Sequence, residues 1–157
     1  MRITNQFTMM IAGVLLSLSF YSCKPSHVVT LLVDTDNITQ QNINSTTTFG
    51  QGTFGQPTPL SNANFTTYAA KGERIIWGAI STTSPSNDVV HINKIIYKQG
   101  KQVLNRSVLS GKRIVIGKVK GKKDDVGSYS IEFTVFNDSI KRGTYTLDPK
   151  IQVTKQQ

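Results

Sequence analysis

Two carboxylates and an amide directly follow the first apolar run after the N-terminal region. Asp34, Asp36 and Asn37 lie in the segment VDTDN, and their side chains carry the hard oxygen atoms that calcium prefers. An EF-hand loop is absent, because no glycine stands at its sixth position and no glutamate at its twelfth. The alternative is a turn at a strand end, stabilised by Asx side chains. We therefore keep Asp34 and Asp36 as ligand candidates and predict no metal site.

Histidine and serine form no catalytic motif in this chain. There are two histidines, His27 before an apolar run and His91 within one, and neither has a partner at the spacing of a zinc site. No serine stands in a G-x-S-x-G motif. His91, Asp88 and a distant serine could be imagined as a triad, but triads are defined by geometry and a serine-rich chain supplies chance candidates. We predict a protein that is not an enzyme and has no cofactor, with a hydrolase as the remote alternative.

Aromatic side chains beside polar ones are the remaining ligand candidates. Tyr68 lies in FTTYAAK, and Trp77, the only tryptophan, lies in ERIIWGAIS. Exposed rings beside Asp or Asn would indicate carbohydrate binding, whereas buried rings would indicate a structural role. Asp148 precedes Pro149 and could cap a bend of the chain or reach a ligand. Tyr68, Trp77 and Asp148 therefore join Asp34 and Asp36 as candidates.

Basic residues are concentrated in one stretch of a chain whose formal net charge is +9. Alternate residues of a strand point the same way, so Lys118, Lys120 and Lys122 would share a face. Such a cluster could hold an anionic glycan or a lipid headgroup, although lysines on an edge strand also block association between sheets. Nucleic acid is not expected, because no aromatic residues are interleaved for base stacking. The stretch contains Lys112, Arg113, Lys118, Lys120, Lys122 and Lys123.

The N-terminal segment has the layout of a secretory signal. Arg2 precedes an uncharged apolar run from Phe7 to Tyr21, which is shorter than the ~20 residues of a transmembrane helix. Ser22 and the only cysteine, Cys23, follow at once. This arrangement resembles a bacterial lipoprotein signal, in which the cysteine is acylated and becomes the new N-terminus. An ordinary signal peptide and an uncleaved anchor are the alternatives.

The resulting organisation has three parts. We predict a lipoprotein-type signal peptide over residues 1–22, a lipidated tether over 23–27 and a single domain over 28–157. A lipid at Cys23 would make a membrane the first partner and would place the protein in the cell envelope, with the outer membrane as the expected location. A secreted or periplasmic soluble protein is the alternative.

Short runs of β-branched and aromatic residues recur along the domain, with turn residues between them. The segment SYSIEFTVFND alternates, with Tyr129, Ile131, Phe133 and Val135 on one face. No helical periodicity of apolar residues occurs outside the signal segment. The pattern predicts an all-β fold, a single antiparallel β-sandwich of about seven strands.

Residues 35–64 interrupt this pattern. Thr, Asn, Gln and Gly dominate, charges nearly vanish, and Phe49-Gly50-Gln51 is echoed by Phe54-Gly55-Gln56. Such a composition buries little apolar surface. We predict one long loop that contributes few core contacts, so that deletion of residues 39–63 would change the melting temperature little.

The last segment, GTYTLDPKIQVT, predicts a closing strand that bends. Tyr145, Leu147, Ile151 and Val153 share one parity, and Pro149 stands between the two pairs. Proline is confined to edges and bulges of sheets, so the strand should bend or change its partner there, with all four side chains facing the core.

The two ends of the domain resemble the AidA/PixA-like inclusion-body protein family. The resemblance is carried by VVTLLVDTDNI over residues 28–38 and YTLDPKIQV over 145–153, and between them by KGERIIWGAIS with Trp77 and by YSIEFTVFND. It implies a compact β-sandwich, and for some members sugar binding. The expected function is a lipid-anchored, non-catalytic binding or structural module, whose partner would be a glycan or another envelope protein. A purely structural or assembly lipoprotein without a small-molecule ligand is the alternative.

Overall fold

The computed structural model describes residues 26–52, 62 and 65–155. The signal, Cys23 and the second Phe-Gly-Gln repeat lie outside these residues. Within them the chain forms ten strands and one short helix, α1, and no helix there is long and apolar enough to cross a bilayer. The elements are β1 Ser26–Val33, α1 Ile43–Thr46, β2 Thr47–Gly52, β3 Thr66–Ala70, β4 Arg74–Ser81, β5 Val89–Gly100, β6 Val108–Ser110, β7 Val115–Lys118, β8 Val126–Asn137, β9 Ile140–Leu147 and β10 Lys150–Thr154.

Two sheets pack face to face and confirm the predicted all-β sandwich. The four-stranded sheet has the order β2-β1-β4-β7, and the six-stranded sheet has the order β3-β10-β8-β5-β6, with β9 also paired to β8. Both sheets are mixed, not purely antiparallel as predicted, because β1 runs parallel to β4 and β3 runs parallel to β10. The turn at Lys71-Gly72, where Gly72 has a φ of 91°, leads from one sheet to the other instead of closing a hairpin.

Alternation along the long strands fills the core as predicted. The four side chains predicted to share one face of β8 are all at most 2% exposed: Tyr129, Ile131, Phe133 and Val135. They share that face because alternate residues of a strand point to the same side of the sheet. On β5 the register shifts between Ile92 and Lys94, so the buried set passes from Val90 and Ile92 to Ile95.

The turn between β8 and β9 places Asp138 and Ser139 at positive φ, which is typical of the two-residue hairpin turn.

The closing segment keeps its four predicted side chains in the core on both sides of Pro149, as predicted. Tyr145, Leu147, Ile151 and Val153 are all buried. On one side of the proline β9 pairs with β8; on the other side β10 lies between β8 and β3. The register with β8 runs unbroken through the proline, from Ile131↔Leu147 to Ser128↔Lys150, and the Tyr129 N–H donates to the Pro149 carbonyl at 3.1 Å. The strand therefore gains β3 as a further partner after Pro149, and no shift of register marks the predicted bend.

The prediction of one long loop over residues 35–64 is wrong for residues 43–52, while residues 53–61, 63 and 64 lie outside the described part of the chain. Residues 47–52 form β2, whose register with β1 runs from Val33↔Thr47 to Val28↔Gly52. Phe49 stacks on Phe65 with ring centroids 4.3 Å apart, and Ile38 is also buried. The polar composition of the segment did not indicate a strand. The segment nevertheless forms β2, because the preceding strand, β1, supplies its backbone hydrogen-bond partners.

Candidate binding groove beside the fourth strand

The carboxylates after β1 cap a turn. Asp34 Oδ1 accepts the backbone N–H of Asn37 at 3.2 Å, and Asp34 Oδ2 accepts the Asn37 side-chain amide at 2.9 Å. Asp36 is exposed. Among the described residues no group of three or more His, Cys, Asp and Glu side chains could hold a metal ion. The structure thus gives Asp34 a local structural role, as expected of an Asx turn.

The aromatic candidates separate into one exposed and one buried ring. Tyr68 is 45% exposed on β3, whereas Trp77 is only 1% exposed. The indole Nε1 of Trp77 donates to the hydroxyl of Tyr129 at 3.3 Å, and the two rings meet edge to face. Trp77, which the sequence offered as a ligand candidate, is therefore a core residue. Asp148 is exposed between β9 and β10.

The imagined triad is not assembled. His91 packs against the ring of Phe136, with centroids 5.0 Å apart, and burial, together with the positive charge of Arg113, lowers its pKa. Asp88 bonds to a different residue, Thr35, whose hydroxyl donates to Asp88 Oδ2 at 2.5 Å. His27 lies elsewhere, with Nε2 2.6 Å from Glu73 Oε2.

A groove opens where β7 stops pairing with β4. The register of this pair ends at Trp77↔Val115, while β4 continues to Ser81 and remains paired on its other side with β1. Because successive residues of a strand turn their backbone groups to opposite sides, alternate residues among 78–81 direct their N–H and C=O groups to this edge, where β7 no longer pairs with β4. A cavity of about 480 Å³ lies here, and we call it the β4 groove.

The β4 groove has apolar walls and two charged side chains. Apolar atoms come from β4, from the start of β5 and from the segment before β7; the guanidinium of Arg113 and the carboxylate of Asp88 add opposite charges. No aromatic residue belongs to the described lining, which comprises Thr30, Gly78, Ala79, Ile80, Ser81, Pro85, Asp88, Val89, Val90, Arg113 and Ile114.

The floor of the groove is open at one glycine. Within the described part of the chain, a Cβ atom added to Gly78 would meet nothing within 4 Å. The neighbouring side chains Ile80 and Ile114 are 51% and 55% exposed. An incoming chain can therefore approach the backbone of β4 without displacing any side chain at this point.

Hydrogen bonds hold the acidic end of the groove in place. Thr35 Oγ1 lies 2.7 Å from Ser81 Oγ and 3.0 Å from Thr83 Oγ1, in addition to its bond to Asp88. The Asp88 backbone N–H donates to the Ser84 carbonyl at 2.8 Å. Asp88 itself is buried, with 7% of its surface exposed.

Sequence reasoning did not find this groove. Its lining comes from separate stretches of the chain, at Thr30, 78–81, 85–90 and 113–114, and no motif links them. Arg113 was noted only as a member of the basic stretch and Asp88 only as part of an imagined triad. The available signal was the outward-facing position of Ile80 and Ile114, but the sequence alone could not show that these two side chains line one groove.

Together the fold and the groove define a two-sheet β-sandwich with an open strand edge suited to binding. No family model and no curated protein matches the chain. Among solved structures, the crystal structure of the inclusion body protein PixA from Burkholderia cenocepacia is similar, with a TM-score of 0.63 and 13% sequence identity, over 88% of this chain and 100% of that chain. At this identity the likeness shows the fold, and it confirms the fold that the resemblance of the two domain ends implied.

Proposed function

We propose that the chain is a non-catalytic binding module of the cell envelope, and that it takes an extended segment of another envelope protein in the β4 groove. The observation that carries this proposal is the unpaired edge of residues 78–81 beside an open groove. Extended peptides add to exposed sheet edges through main-chain hydrogen bonds, and side-chain pockets then give specificity.

The lining predicts the composition of the ligand. A strand added at ~4.8 Å from β4 would send alternate side chains to opposite faces. One set would meet Ile80 and Ile114, and the other would meet Pro85 and Val89. The guanidinium of Arg113 favours a carboxylate on the ligand, because the two groups form paired, charge-assisted hydrogen bonds. We expect alternating apolar residues with one Asp or Glu.

The sequence supports attachment of this module to a membrane. Cys23 directly follows an apolar run and a small residue, Ser22, and acyl chains on this cysteine would anchor the protein through roughly 0.8 kcal/mol for each buried CH₂ group. The proposed location is the cell envelope, with the outer membrane first and a soluble periplasmic or secreted form as the alternative.

Carbohydrate binding is a second candidate, and one observation favours it. Tyr68 is 45% exposed and stands in register with Gln152 on the neighbouring strand, so a flat ring lies beside an amide. Its site would be the outer face of the six-stranded sheet. The β4 groove itself does not favour a sugar, because its described lining offers no ring for stacking.

Panning a phage-displayed library of linear heptapeptides against the full chain tests the first candidate. The Gly78→Leu variant should fill the groove without a clash and reduce retention of enriched phage by at least about tenfold. Gly50→Leu is the matched control, because Gly50 lies on the same sheet face and, among the residues that the structure describes, its added Cβ would meet only the Thr30 carbonyl oxygen, at 3.8 Å. Arg113→Ala should weaken mainly those peptides that carry an acidic residue.

Two outcomes would overturn the peptide proposal. One is a library that yields no enriched sequence. The other is an enriched set that Gly78→Leu retains as well as Gly50→Leu does. A glycan array probed with the same protein separates the second candidate, because sugar binding that is lost on Tyr68→Ala would assign function to the other sheet.

A further inference from the structure

Basic side chains gather at one end of the sandwich, which we call the basal end. Ser26, Arg74 and Lys118 stand side by side in one row across β1, β4 and β7. The turn at Lys71-Gly72 joins this row, since the Gly72 N–H donates to the Val119 carbonyl at 2.8 Å. The start of β1, the start of β4 and the end of β7 therefore meet here.

The six-stranded sheet contributes further cations to the same end. The Lys120 N–H donates to Val103, the Asp124 N–H to Val153 and the Lys101 N–H to Val126, each at 2.8 Å. Thr154, next to Lys155, is in register with Ala70 beside Lys71. Eight exposed basic residues thus define the basal end: Lys71, Arg74, Lys101, Lys118, Lys120, Lys122, Lys123 and Lys155.

The carboxylates at the basal end are already engaged. Glu73, with a side chain 12% exposed, lies 2.6 Å from His27 Nε2 and accepts the backbone N–H of Ala70. Asp125 accepts the N–H of Lys122 at 2.7 Å, and Asp124 pairs with Lys123 at 3.4 Å. Eight cations against these three acids leave a local excess of five positive charges.

The opposite end has no such excess, because its four aspartates stand against four basic residues, Lys112, Arg113, Lys141 and Arg142. It carries Asp34, Asp36, Asp88 and Asp138, near the ends of β1, β4 and β8. The charge of the chain is therefore arranged along the strands and is not spread evenly. A planar partner of negative charge would be attracted to one end only, and this end-to-end asymmetry would orient the molecule.

We propose that the basal end docks onto an anionic lipid bilayer. Next to the row of Arg74 and Lys118 lies an apolar row of Val28, Ile76 and Ile116 on the same outer face, and Val28 and Ile116 are 39% and 56% exposed. Cations beside exposed aliphatic residues match an interface where headgroup charge borders acyl chains. A nucleic acid would instead call for aromatic rings.

The docked orientation leaves the β4 groove free. Arg74 and Ser81 stand at opposite ends of β4, about 23 Å apart at ~3.3 Å for each residue. The basal end would face the lipid while Gly78–Ser81 face away from it. This inference does not depend on the occupant of the groove, nor on acylation of Cys23.

Co-sedimentation of the full chain with vesicles tests the inference. Binding to vesicles of phosphatidylcholine mixed with phosphatidylglycerol is compared with binding to vesicles of phosphatidylcholine alone. The ratio of the two partition coefficients measures the charge-dependent part of the binding. Each basic residue near an anionic surface strengthens binding about fivefold. The triple variant Arg74→Gln, Lys118→Gln, Lys120→Gln should lower this ratio by between about tenfold and a hundredfold.

A second triple variant serves as the matched control. Lys112→Gln, Lys141→Gln, Arg142→Gln removes the same charge from exposed positions toward the opposite end of the strands, and it should keep the ratio within about twofold of the wild type, because screening limits charge effects to ~10 Å. Equal losses in the two variants would mean that net charge alone acts and would overturn the proposal. So would an unchanged ratio in the basal variant, or wild-type protein that does not prefer the anionic vesicles.

Discussion

The hydroxyl of Tyr129 accepts the indole N–H of Trp77 in the middle of the core. Burial raises the pKa of Tyr129 to about 12, although the hydrogen bond from Trp77 acts in the opposite direction. The phenol therefore keeps its proton in the folded state at a pH where the unfolded chain has lost it. Stability from this pair is fully present below about pH 10 and is lost as the pH rises towards 12.

Tyr129→Phe should remove this alkaline loss of stability. Between pH 10 and about 12 the wild type should lose on the order of 1.4 kcal/mol of unfolding free energy for each pH unit, and the variant should lose less. At pH 8 the variant should instead be less stable by ~1–3 kcal/mol, because the buried indole N–H has no acceptor. Urea unfolding at the two pH values measures both effects. Tyr68→Phe, at an exposed ring, should keep the wild-type pH dependence, and equal slopes for Tyr129→Phe and wild type would contradict the argument.

Strand β2 shows how an element of unfavourable composition is stabilised by its neighbours. Its six residues pair with β1, and its one large side chain, Phe49, is 8% exposed against Phe65. The edge of the four-stranded sheet thus depends on one aromatic contact between segments that flank a polar stretch.

Phe49→Ala should destabilise the domain by about 3–5 kcal/mol, because it removes a buried ring and leaves a cavity. Thr48→Ala is the matched control, since the Thr48 side chain points to the outer face, and it should cost less than about 0.5 kcal/mol. Chemical denaturation followed by circular dichroism gives both values. A Phe49→Ala protein as stable as wild type would return residues 47–52 to the role of a dispensable loop.

At the scale of the whole molecule, the proposed lipid on Cys23 and the proposed docking of the basal end would act together. Ser26, where β1 begins, belongs to the basal row, and Cys23 is three residues earlier in the sequence. Three residues of chain reach at most about 11 Å. A lipid on Cys23 would therefore hold the basal end close to the bilayer, where its cations add a second attachment to the acyl chains.

Cys23→Ser should abolish metabolic labelling with a fatty-acid analogue and shift the protein from the membrane to the soluble fraction. If the basal end also binds lipid, some of the unlabelled variant should remain on anionic membranes at low salt and leave them at high salt, because ionic screening weakens surface attraction. Labelling of the variant at the wild-type level would refute acylation at this cysteine.

Local periodicity determined much of this fold. The alternation of Tyr129, Ile131, Phe133 and Val135, and of the closing strand around Pro149, could be read from the sequence because side chains of a strand alternate regardless of what it pairs with. The all-β class follows from such segments. The missing N–H of Pro149 predicted a bend or a change of partner; the strand gains β3 there, but its register with β8 continues unbroken.

Tertiary structure decided what depends on pairing between distant segments. β2 forms because it pairs with β1. Trp77 is buried against Tyr129 of β8. The β4 groove exists because the pairing of β4 with β7 ends at Trp77↔Val115. The basic stretch was visible in the sequence, but only the fold separates Lys112 and Arg113 from its other lysines. The fold also adds Lys71, Arg74, Lys101 and Lys155 to those lysines, and together they form one end of the molecule. The physical reason is that neither the partner of a strand nor the length of its pairing is encoded within that strand, so an edge, a groove or a charged end emerges only when the sheets assemble.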